Sequence, residues 1–320
     1  MCGKRSVSLD LRTGWIDAPE FDRHINGPAH PECPARLDAV REGIARAGLE
    51  ARLDRVRPQP VERGLLETVH APEYVRRIEA LCASGGGYLD LDTSVVQESW
   101  TAALLAAGAV QDAVRRVCSG TWRRAFCSVR PPGHHAPPAR AMGFCLFGNA
   151  AVGAQTAITD GQTEKVAIID WDVHHGNGTQ AIFWERPDVF YASWHQYPLY
   201  PGTGLCTETG AGAGLGTTLN CPLPAGAGNR EHLDAWHQRI RPALEQFEPG
   251  LLIISAGFDS DGRDPLAGLC VTAAGFAELS RTVVDWADEC CGGRVVSVLE
   301  GGYALDALAE DVVLHVETLL

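Results

Sequence analysis

The sequence predicts a single α/β domain with a central, mostly parallel β-sheet and helices on both of its faces. Two observations support this class. From about residue 125 onward, short and almost wholly apolar runs alternate with helical segments, which is typical of parallel strands covered by helices on both sides. The chain has 320 residues, 45% of them hydrophobic, so it holds enough apolar material for one large core. No repeat or linker divides residues 1–320 into separate domains.

The N-terminal part of the chain is predicted to be helical. Segment 34–50 has apolar residues at helical spacing and ends near Gly48, a plausible terminator. Segment 71–87 opens with Pro72, which suits the first turn of a helix, and closes in a run of glycines. The alanine-rich segment 99–117 is apolar on one face. Three helices therefore precede the strands.

Five apolar runs are the predicted strands of the sheet. They cover residues 125–129, 166–170, 189–194, 251–255 and 295–299. The predicted helices between them cover residues 147–158, 229–247 and 273–289. The glycine-rich stretch 210–216 lacks the G-x-G-x-x-G spacing of dinucleotide sites and the lysine of a phosphate loop, so it is predicted to be a mobile loop.

Composition narrows the functional classes. A formal charge of −13 argues against a nucleic-acid surface and weakly favours cationic substrates such as lysine side chains or polyamines. The 11 cysteines are scattered, their number is odd, and none forms a C-x-x-C pair. This pattern indicates reduced, mostly buried thiols. No apolar run is long enough to cross a bilayer, and the first residues lack the apolar segment of a signal peptide. We therefore expect a cytoplasmic enzyme without a membrane partner.

Ionisable residues collect where the predicted strands end. They are His134 and His135 after the first run, Asp172 and His174 after the second, Asp259 after the fourth and Tyr303 after the fifth. A single histidine or aspartate at such a place is usually a structural residue or a turn former. Ligands of open α/β sheets, however, bind beyond the carboxyl ends of the strands. So many coincidences in one chain indicate a functional site.

Three of these residues match a catalytic metal site. Asp172, His174 and Asp259 supply two carboxylates and one imidazole, which leaves a fourth position open, and zinc is the first expectation. Asp170 is then expected to orient a histidine rather than bind the metal.

The remaining residues suit acid–base chemistry. The adjacent His134 and His135 can take a proton from water and deliver it to a leaving amine. Tyr303 follows two glycines, so its hydroxyl can approach and donate a hydrogen bond to an oxyanion. No G-x-S-x-G motif is present, which argues against a serine hydrolase.

Several motifs together resemble the zinc-dependent deacetylase branch of the arginase and histone deacetylase fold family. "RPPGHHA" with "GFCLFGNAA", "DWDVHHGNGTQ", "AGFDSDGRDP" and "LEGGY" occur in the family's order, and "HPECPAR" and "VHAPEYV" resemble its earlier segments. The resemblance runs from about His30 to Tyr303. It implies the arginase/deacetylase fold and an amidohydrolase that removes acetyl or other acyl groups from the lysine side-chain amine. The compact domain is similar to class II-like bacterial members.

The resemblance also implies a role for each site residue. Asp172, His174 and Asp259 would bind one zinc ion, and His134 and His135 would be the catalytic pair. The partner of His134 would be Asp170, and Asn177 would take the place of the second histidine's partner, as in class II. Tyr303 would stabilise the tetrahedral intermediate. The acyl-lysine tunnel would be lined by Gly143, Phe144, Tyr200 and Leu266.

Two potassium sites are implied by the same resemblance. The first would involve Asp170, Asp172, His174, Ser193 and Trp194, mostly through backbone oxygens. The second would involve Phe183, Arg186 and Val189. Both ions would be structural.

Alternatives remain at this point. A dimanganese ureohydrolase needs an aspartate where Gly176 stands, which disfavours it. An acetylpolyamine amidohydrolase would use the same catalytic residues; the class II polyamine enzymes carry a glutamate where this chain has Leu266, but bacterial ones select by other means. A catalytically silent binding module need not retain these residues. The substrate is thus an acylated lysine or an acylated polyamine, and a homo-oligomer is left open.

Overall fold

Eight of the ten strands in the described residues form the main sheet, around which the core packs. The structure is a computed structural model that describes residues 12–320. In chain order the strands are β1 (Thr13–Ile16), β2 (Leu53–Val56), β3 (Gly86–Tyr88), β4 (Ser94–Val96), β5 (Arg124–Cys127), β6 (Val166–Asp170), β7 (Val189–Gln196), β8 (Thr218–Leu223), β9 (Leu251–Ala256) and β10 (Val295–Leu299). The main sheet has the order β2-β1-β5-β10-β9-β6-β7-β8, and β3 and β4 form a separate hairpin.

Every neighbouring pair of strands in the main sheet is parallel, whereas the sequence predicted a mostly parallel sheet. The antiparallel hairpin of β3 and β4 lies outside it. The five predicted strands, β5, β10, β9, β6 and β7, are contiguous at its centre and buried along their whole length. Strands β1, β2 and β8, which the prediction lacked, extend the sheet on its two sides.

Ten α-helices flank the sheet in the described residues. They are α1 (Ala35–Arg46), α2 (Arg63–Val69), α3 (Pro72–Ala83), α4 (Ser99–Cys118), α5 (Asn149–Thr159), α6 (Asn177–Phe183), α7 (Asn229–Ala235), α8 (Arg241–Phe247), α9 (Ala273–Cys290) and α10 (Leu305–Leu319). A π-helical turn, Trp236–Ile240, joins α7 to α8, so residues 229–247 form one helical segment as predicted. Between residues 12 and 320, the helices are too short or too polar to span a membrane.

The glycine-rich stretch 210–216 is a loop with one 3₁₀ turn, Gly212–Gly214. The amide of Ala211 donates to the Trp184 carbonyl at 2.9 Å. A Cβ added to Gly214 would lie 2.6 Å from the Arg186 amide nitrogen, so only glycine permits this packing. The loop is therefore docked on the body of the domain, and its predicted mobility stays a prediction.

A buried carboxylate on α10 makes the stability of the fold depend on pH. Within the described residues, neither oxygen of Asp311 accepts a hydrogen bond, and the Arg263 guanidinium lies 3.7 Å away. Burial and the neighbouring Asp261 raise the pKa of Asp311 to about 8. An unfolded aspartate releases its proton near pH 4, about four pH units lower. Because the folded state holds this proton more tightly, the contribution of Asp311 to stability is lost as pH rises between the two values.

Asp311→Asn is therefore expected to gain stability relative to the wild type as pH rises from about 5 to about 8. The amide has the same shape but cannot ionise. Thermal unfolding of both proteins across this range measures the difference in Tm, and Glu317→Gln, at an exposed position on the same helix, is the control. A Tm difference that stays constant with pH would contradict this account of Asp311.

Candidate active site

The predicted site residues converge at the carboxyl edge of the sheet. Asp170 is the last residue of β6, and Asp172 and His174 follow it; Asp259 follows β9, and Tyr303 follows β10. Since β5, β10, β9 and β6 are adjacent and parallel, the loops beyond their carboxyl ends meet. The structure thus brings together residues that are up to about 170 positions apart in the chain.

Two glycines permit the close approach of these loops. A Cβ on Gly257 would lie 2.1 Å from Asp172 Oδ2, and one on Gly301 would lie 2.1 Å from Asp259 Oδ2. Neither position can accept a larger residue without moving a carboxylate. The Gly301 amide instead donates to Asp172 Oδ2 at 2.8 Å, which fixes that side chain from the opposite loop.

Asp172, His174 and Asp259 form a buried cluster that can hold a metal ion. His174 Nδ1 lies 3.0 Å from Asp172 Oδ1 and 3.2 Å from Asp259 Oδ2, and the three ligand atoms are within 4.8 Å of one another. The other oxygen of Asp259 is held by a backbone amide, because Val173 donates to Asp259 Oδ1 at 2.8 Å. Asp259 Oδ2 is buried and accepts no hydrogen bond from the described residues. This donor set fits a divalent cation.

The electrostatics of the cluster also favour a bound cation. Burial, followed by the charge of Asp172, raises the pKa of Asp259 to about 7. Burial favours neutral His174, but the adjacent carboxylates of Asp172 and Asp259 raise the pKa of its ring to about 10. Without a metal the cluster thus retains a proton at neutral pH. A divalent cation can replace that proton and neutralise both carboxylates.

Divalent cation is expected to stabilise the protein through this cluster. Zn²⁺ added to metal-free wild type at about 100 times its Kd should stabilise the fold by about 2.7 kcal/mol, because the unfolded chain lacks the site. Asp259→Asn should lose most of this gain in Tm. The control is Asp261→Asn, which lies on the same loop but faces Arg263. Equal Zn²⁺-induced shifts in both variants would exclude Asp259 as a ligand.

His134 and His135 lie next to each other but have different partners. Their ring centroids are 4.0 Å apart. His134 Nδ1 is 3.1 Å from Asp170 Oδ2, whereas His135 Nδ1 is 2.8 Å from Asn177 Oδ1. The Asn177 amide nitrogen faces Met142 Sδ at 3.4 Å, so its oxygen is the atom that accepts from His135. The Nδ1 of His135 therefore carries the hydrogen, which leaves its Nε2 free to accept a proton.

The two histidines are held in different protonation states. Burial opposes charge on His134, yet Asp172 and Asp170 together raise its pKa well above the usual value. Burial, then the charges of His134 and His174, lowers the pKa of His135 well below the usual value. One ring is thus poised as a proton donor and the other as a proton acceptor, which is the division of roles that acid–base catalysis requires.

A tunnel of about 240 Å³ leads to this cluster. It is lined by Asp92, His135, Gly143, Phe144, His174, Leu199, Tyr200, Leu266 and Tyr303. All four predicted lining residues are among them, with Asp92 and Leu199 as additions that the sequence analysis missed.

The tunnel walls depend on backbone that few residues can adopt. Gly143 has φ +55°, and a Cβ there would lie 2.4 Å from His135 Cδ2. Phe144 has φ +66°, which is unusual for a bulky residue. Its amide donates to Thr93 Oγ1 at 3.1 Å, and its ring packs edge-on against His30. These contacts fix the Phe144 ring in the tunnel wall, to which Tyr200 also contributes.

Glu300 and Tyr191 support the histidine pair, although the sequence predicted no role for either. Glu300 is buried, and its Oε2 accepts the amides of Gly133 at 2.7 Å and His134 at 3.1 Å. The hydroxyl of Tyr191 donates to Asp170 Oδ2 at 3.1 Å. The position of Glu300, directly after an apolar strand, is a signal that could have found it. Tyr191 lies within a strand and gives no such signal.

Arg36 holds the loop that carries Tyr303. Its Nε donates to the Gly302 carbonyl at 2.6 Å and its Nη2 to the Glu300 carbonyl at 2.5 Å. The guanidinium lies 4.9 Å from the centroid of the Tyr303 ring. Arg36 is itself fixed by the buried carboxylate of Glu32.

Both predicted potassium sets are local neighbours. Asp170 pairs in register with Ser193 across β6 and β7, which places the first set, Asp170, Asp172, His174, Ser193 and Trp194, in one patch. In the second set, Phe183, Arg186 and Val189, the Arg186 amide donates to the Phe183 carbonyl at 3.0 Å. The Arg186 carbonyl already accepts the Thr217 hydroxyl at 3.0 Å. Ion binding at either set stays a prediction.

An all-parallel sheet with a buried histidine and carboxylate cluster at its carboxyl edge defines an α/β enzyme domain. Comparison with known proteins gives its family: the model of the histone deacetylase domain matches residues 30–319. The chain therefore belongs to the histone deacetylase family, whose deacetylases and amidohydrolases are hydrolases of amides.

Individual relatives and one solved structure agree with this assignment. A "Probable deacetylase" of Archaeoglobus fulgidus is 40% identical over 92% of this chain and 82% of its own. A "Histone deacetylase-like amidohydrolase" of Pseudomonas aeruginosa is 39% identical over 94% of this chain and 78% of its own. The crystal structure of the HDA15 HD domain superposes with a TM-score of 0.90 at 36% identity, covering 96% of this chain and 90% of that one.

Proposed function

We propose that the chain is a zinc-dependent amidohydrolase that removes acetyl or other acyl groups from the side-chain amine of lysine. The observation that carries this proposal is the tunnel, which ends at the metal-type cluster with His135 and Tyr303 in its walls. An acyl-lysine has a narrow apolar stem and a terminal amide. Phe144 and Tyr200 match the stem, and the polar end of the tunnel matches the amide.

Asp172, His174 and Asp259 would hold the zinc. When bound there, zinc supplies a Lewis acid for the amide carbonyl and lowers the pKa of water from about 15.7 to about 7. His135 accepts the proton of the attacking water at its free Nε2. His134, held protonated by Asp170 and Asp172, donates a proton to the leaving amine.

Tyr303 acts as the hydrogen-bond donor to the developing oxyanion. Burial raises the pKa of its hydroxyl well above the usual value, although the Arg36 charge opposes the shift. The hydroxyl therefore keeps its proton throughout the neutral pH range. A neutral donor that is already in position stabilises the oxyanion without reorganisation.

The wall residue Leu266 favours an acyl-lysine over an acetylpolyamine. Its side chain offers no charge to a distal ammonium. The competing candidate is an acetylpolyamine amidohydrolase, which the carboxylate of Asp92 in the tunnel lining favours. The same machinery would serve either substrate, so the discrimination lies at the tunnel wall and mouth.

We extend the proposal to two structural potassium ions. Asp170, Asp172, His174, Ser193 and Trp194 would hold the first, and Phe183, Arg186 and Val189 the second. Their oxygens would stiffen the chain between β6 and β7, on which the zinc ligands depend.

The proposal is tested by kcat/KM for an acetyl-lysine peptide, acetylputrescine and acetylspermidine, all with one zinc-loaded preparation. Tyr303→Phe is the control for catalysis at this site. Preference for the peptide is expected. Preference for a polyamine would replace the lysine assignment with the competing one. Activity on none of them, with the control indistinguishable from wild type, would contradict the proposed function.

A further inference from the structure

Asp264 occupies a place in the fold that the catalytic mechanism above does not use. It lies in the loop between β9 and α9, five residues after Asp259, and its side chain is almost wholly buried. Its Oδ2 accepts the amide of Tyr303 at 2.6 Å and the amide of Ala304 at 3.1 Å. Its Oδ1 accepts the amide of Leu266 at 3.0 Å.

One carboxylate thus binds two segments of the chain that line the tunnel. Tyr303 and Leu266 lie 37 positions apart in the chain, and both are in the tunnel wall. Three amide hydrogen bonds to a buried charged acceptor are stronger and more directional than bonds to a neutral one. The direction of the Tyr303 hydroxyl depends on its backbone, and Gly302, with φ +124°, precedes it in a conformation that few residues other than glycine adopt.

The other contacts hold the residues before Tyr303 and leave the backbone of Tyr303 itself to Asp264. Arg36 binds the carbonyls of Glu300 and Gly302, and the Gly301 carbonyl accepts the Phe258 amide at 3.0 Å. These bonds fix the loop before Tyr303. Within the described residues, the amides of Tyr303 and Ala304 are held by Asp264.

We propose that Asp264 is a positioning residue that sets the Tyr303 hydroxyl and the Leu266 wall relative to each other. It belongs to neither the tunnel lining nor the metal-type cluster and acts through the two backbone segments. This inference rests on the proposed function for its kinetic consequence, while its structural content is independent of it. Tyr303, the proposed oxyanion donor, and Leu266, the wall residue proposed to select the substrate, are then coupled through the Asp264 side chain.

Asp264→Ala is expected to lower kcat by about 10²-fold, the loss that a misplacement of about 1 Å causes. Asp264→Asn should be intermediate, because its amide oxygen can still accept from one segment while its NH₂ faces the amide of the other. The control is Thr272→Ala, which removes a different side-chain acceptor, the N-cap of α9, whose hydroxyl accepts the Gly275 amide. It should lower Tm while leaving kcat unchanged.

A double-mutant cycle separates positioning of Tyr303 from general loss of structure. In the Tyr303→Phe background no hydroxyl remains to be positioned, so Asp264→Ala should lower kcat by no more than about threefold. An equal loss in both backgrounds would overturn the proposal.

Hydrogen exchange tests the same inference without relying on activity. The amides of Tyr303 and Ala304 should exchange faster in Asp264→Ala than in wild type or Thr272→Ala. Unchanged protection of these amides would overturn the proposal, whatever the activity of the preparation. A wild type that hydrolyses none of the amides would instead overturn the proposed function, and exchange would still decide the role of Asp264.

Discussion

His135→Ala is expected to lower kcat by about 10²–10⁴-fold, the usual contribution of a general base. Asn177 keeps the hydrogen on Nδ1, and burial with the charge of His134 keeps the ring neutral, so Nε2 is free to accept the water proton. Alanine removes this acceptor. Steady-state hydrolysis of an acetyl-lysine peptide by the zinc-loaded variant measures the loss.

The matched control for this prediction is His237→Ala. His237 is exposed on the π-helical turn between α7 and α8, away from the tunnel. Its removal should leave kcat unchanged. If His135→Ala retained kcat within about threefold of wild type at the same zinc content, another group would have to be the base.

Tyr303→Phe is expected to lower kcat by about 10²–10³-fold, which is typical for the loss of one oxyanion donor. The ring keeps its packing against Phe144 and its contact with Arg36, so KM should change little. An interaction that forms only in the transition state affects kcat and kcat/KM equally. Kinetics with the acetyl-lysine peptide therefore distinguish this role from substrate binding.

Tyr88→Phe serves as the comparison for the hydroxyl itself. Tyr88 is 79% exposed on the β3 hairpin, and its hydroxyl has no part in the tunnel lining. Its loss should have no effect on kcat. A Tyr303→Phe variant that raised KM while keeping kcat would place the hydroxyl in ground-state binding instead.

The centre of the sheet could be predicted from sequence, whereas its sides could not. The central strands are buried on both faces, so β6 and β10 read as continuous apolar runs. Strand β2 is only partly buried and reads LDRV, and β8 contains asparagine and proline. Such short, mixed segments become strands through pairing with a neighbour, which the local sequence does not record.

Helix α10 is different, because its signal was present in the sequence. Leu308, Val312, Val316 and Leu319 follow helical spacing and are all buried. The helix could therefore have been predicted from its own residues.

The site divides in a similar way between local and distant signals. Asp172 and His174 lie two residues apart after one strand, and glycines mark the close backbone approach, so the chain carries the metal pattern locally. Asp264 and Glu300 act through bonds to amides 39 and 167 positions away. Asp264 precedes Pro265, and an aspartate before a proline reads as a turn former in sequence. The partners of such residues are defined only by the folded chain.

We propose that a single metal ion held by Asp172, His174 and Asp259 supports amide hydrolysis. Titrating Zn²⁺ into metal-free protein while following the release of acetate from an acetyl-lysine peptide tests this proposal. We expect activity that saturates at one zinc per chain and is lost in Asp259→Asn. Hydrolysis that persists without metal, or that requires two ions per chain, would contradict it.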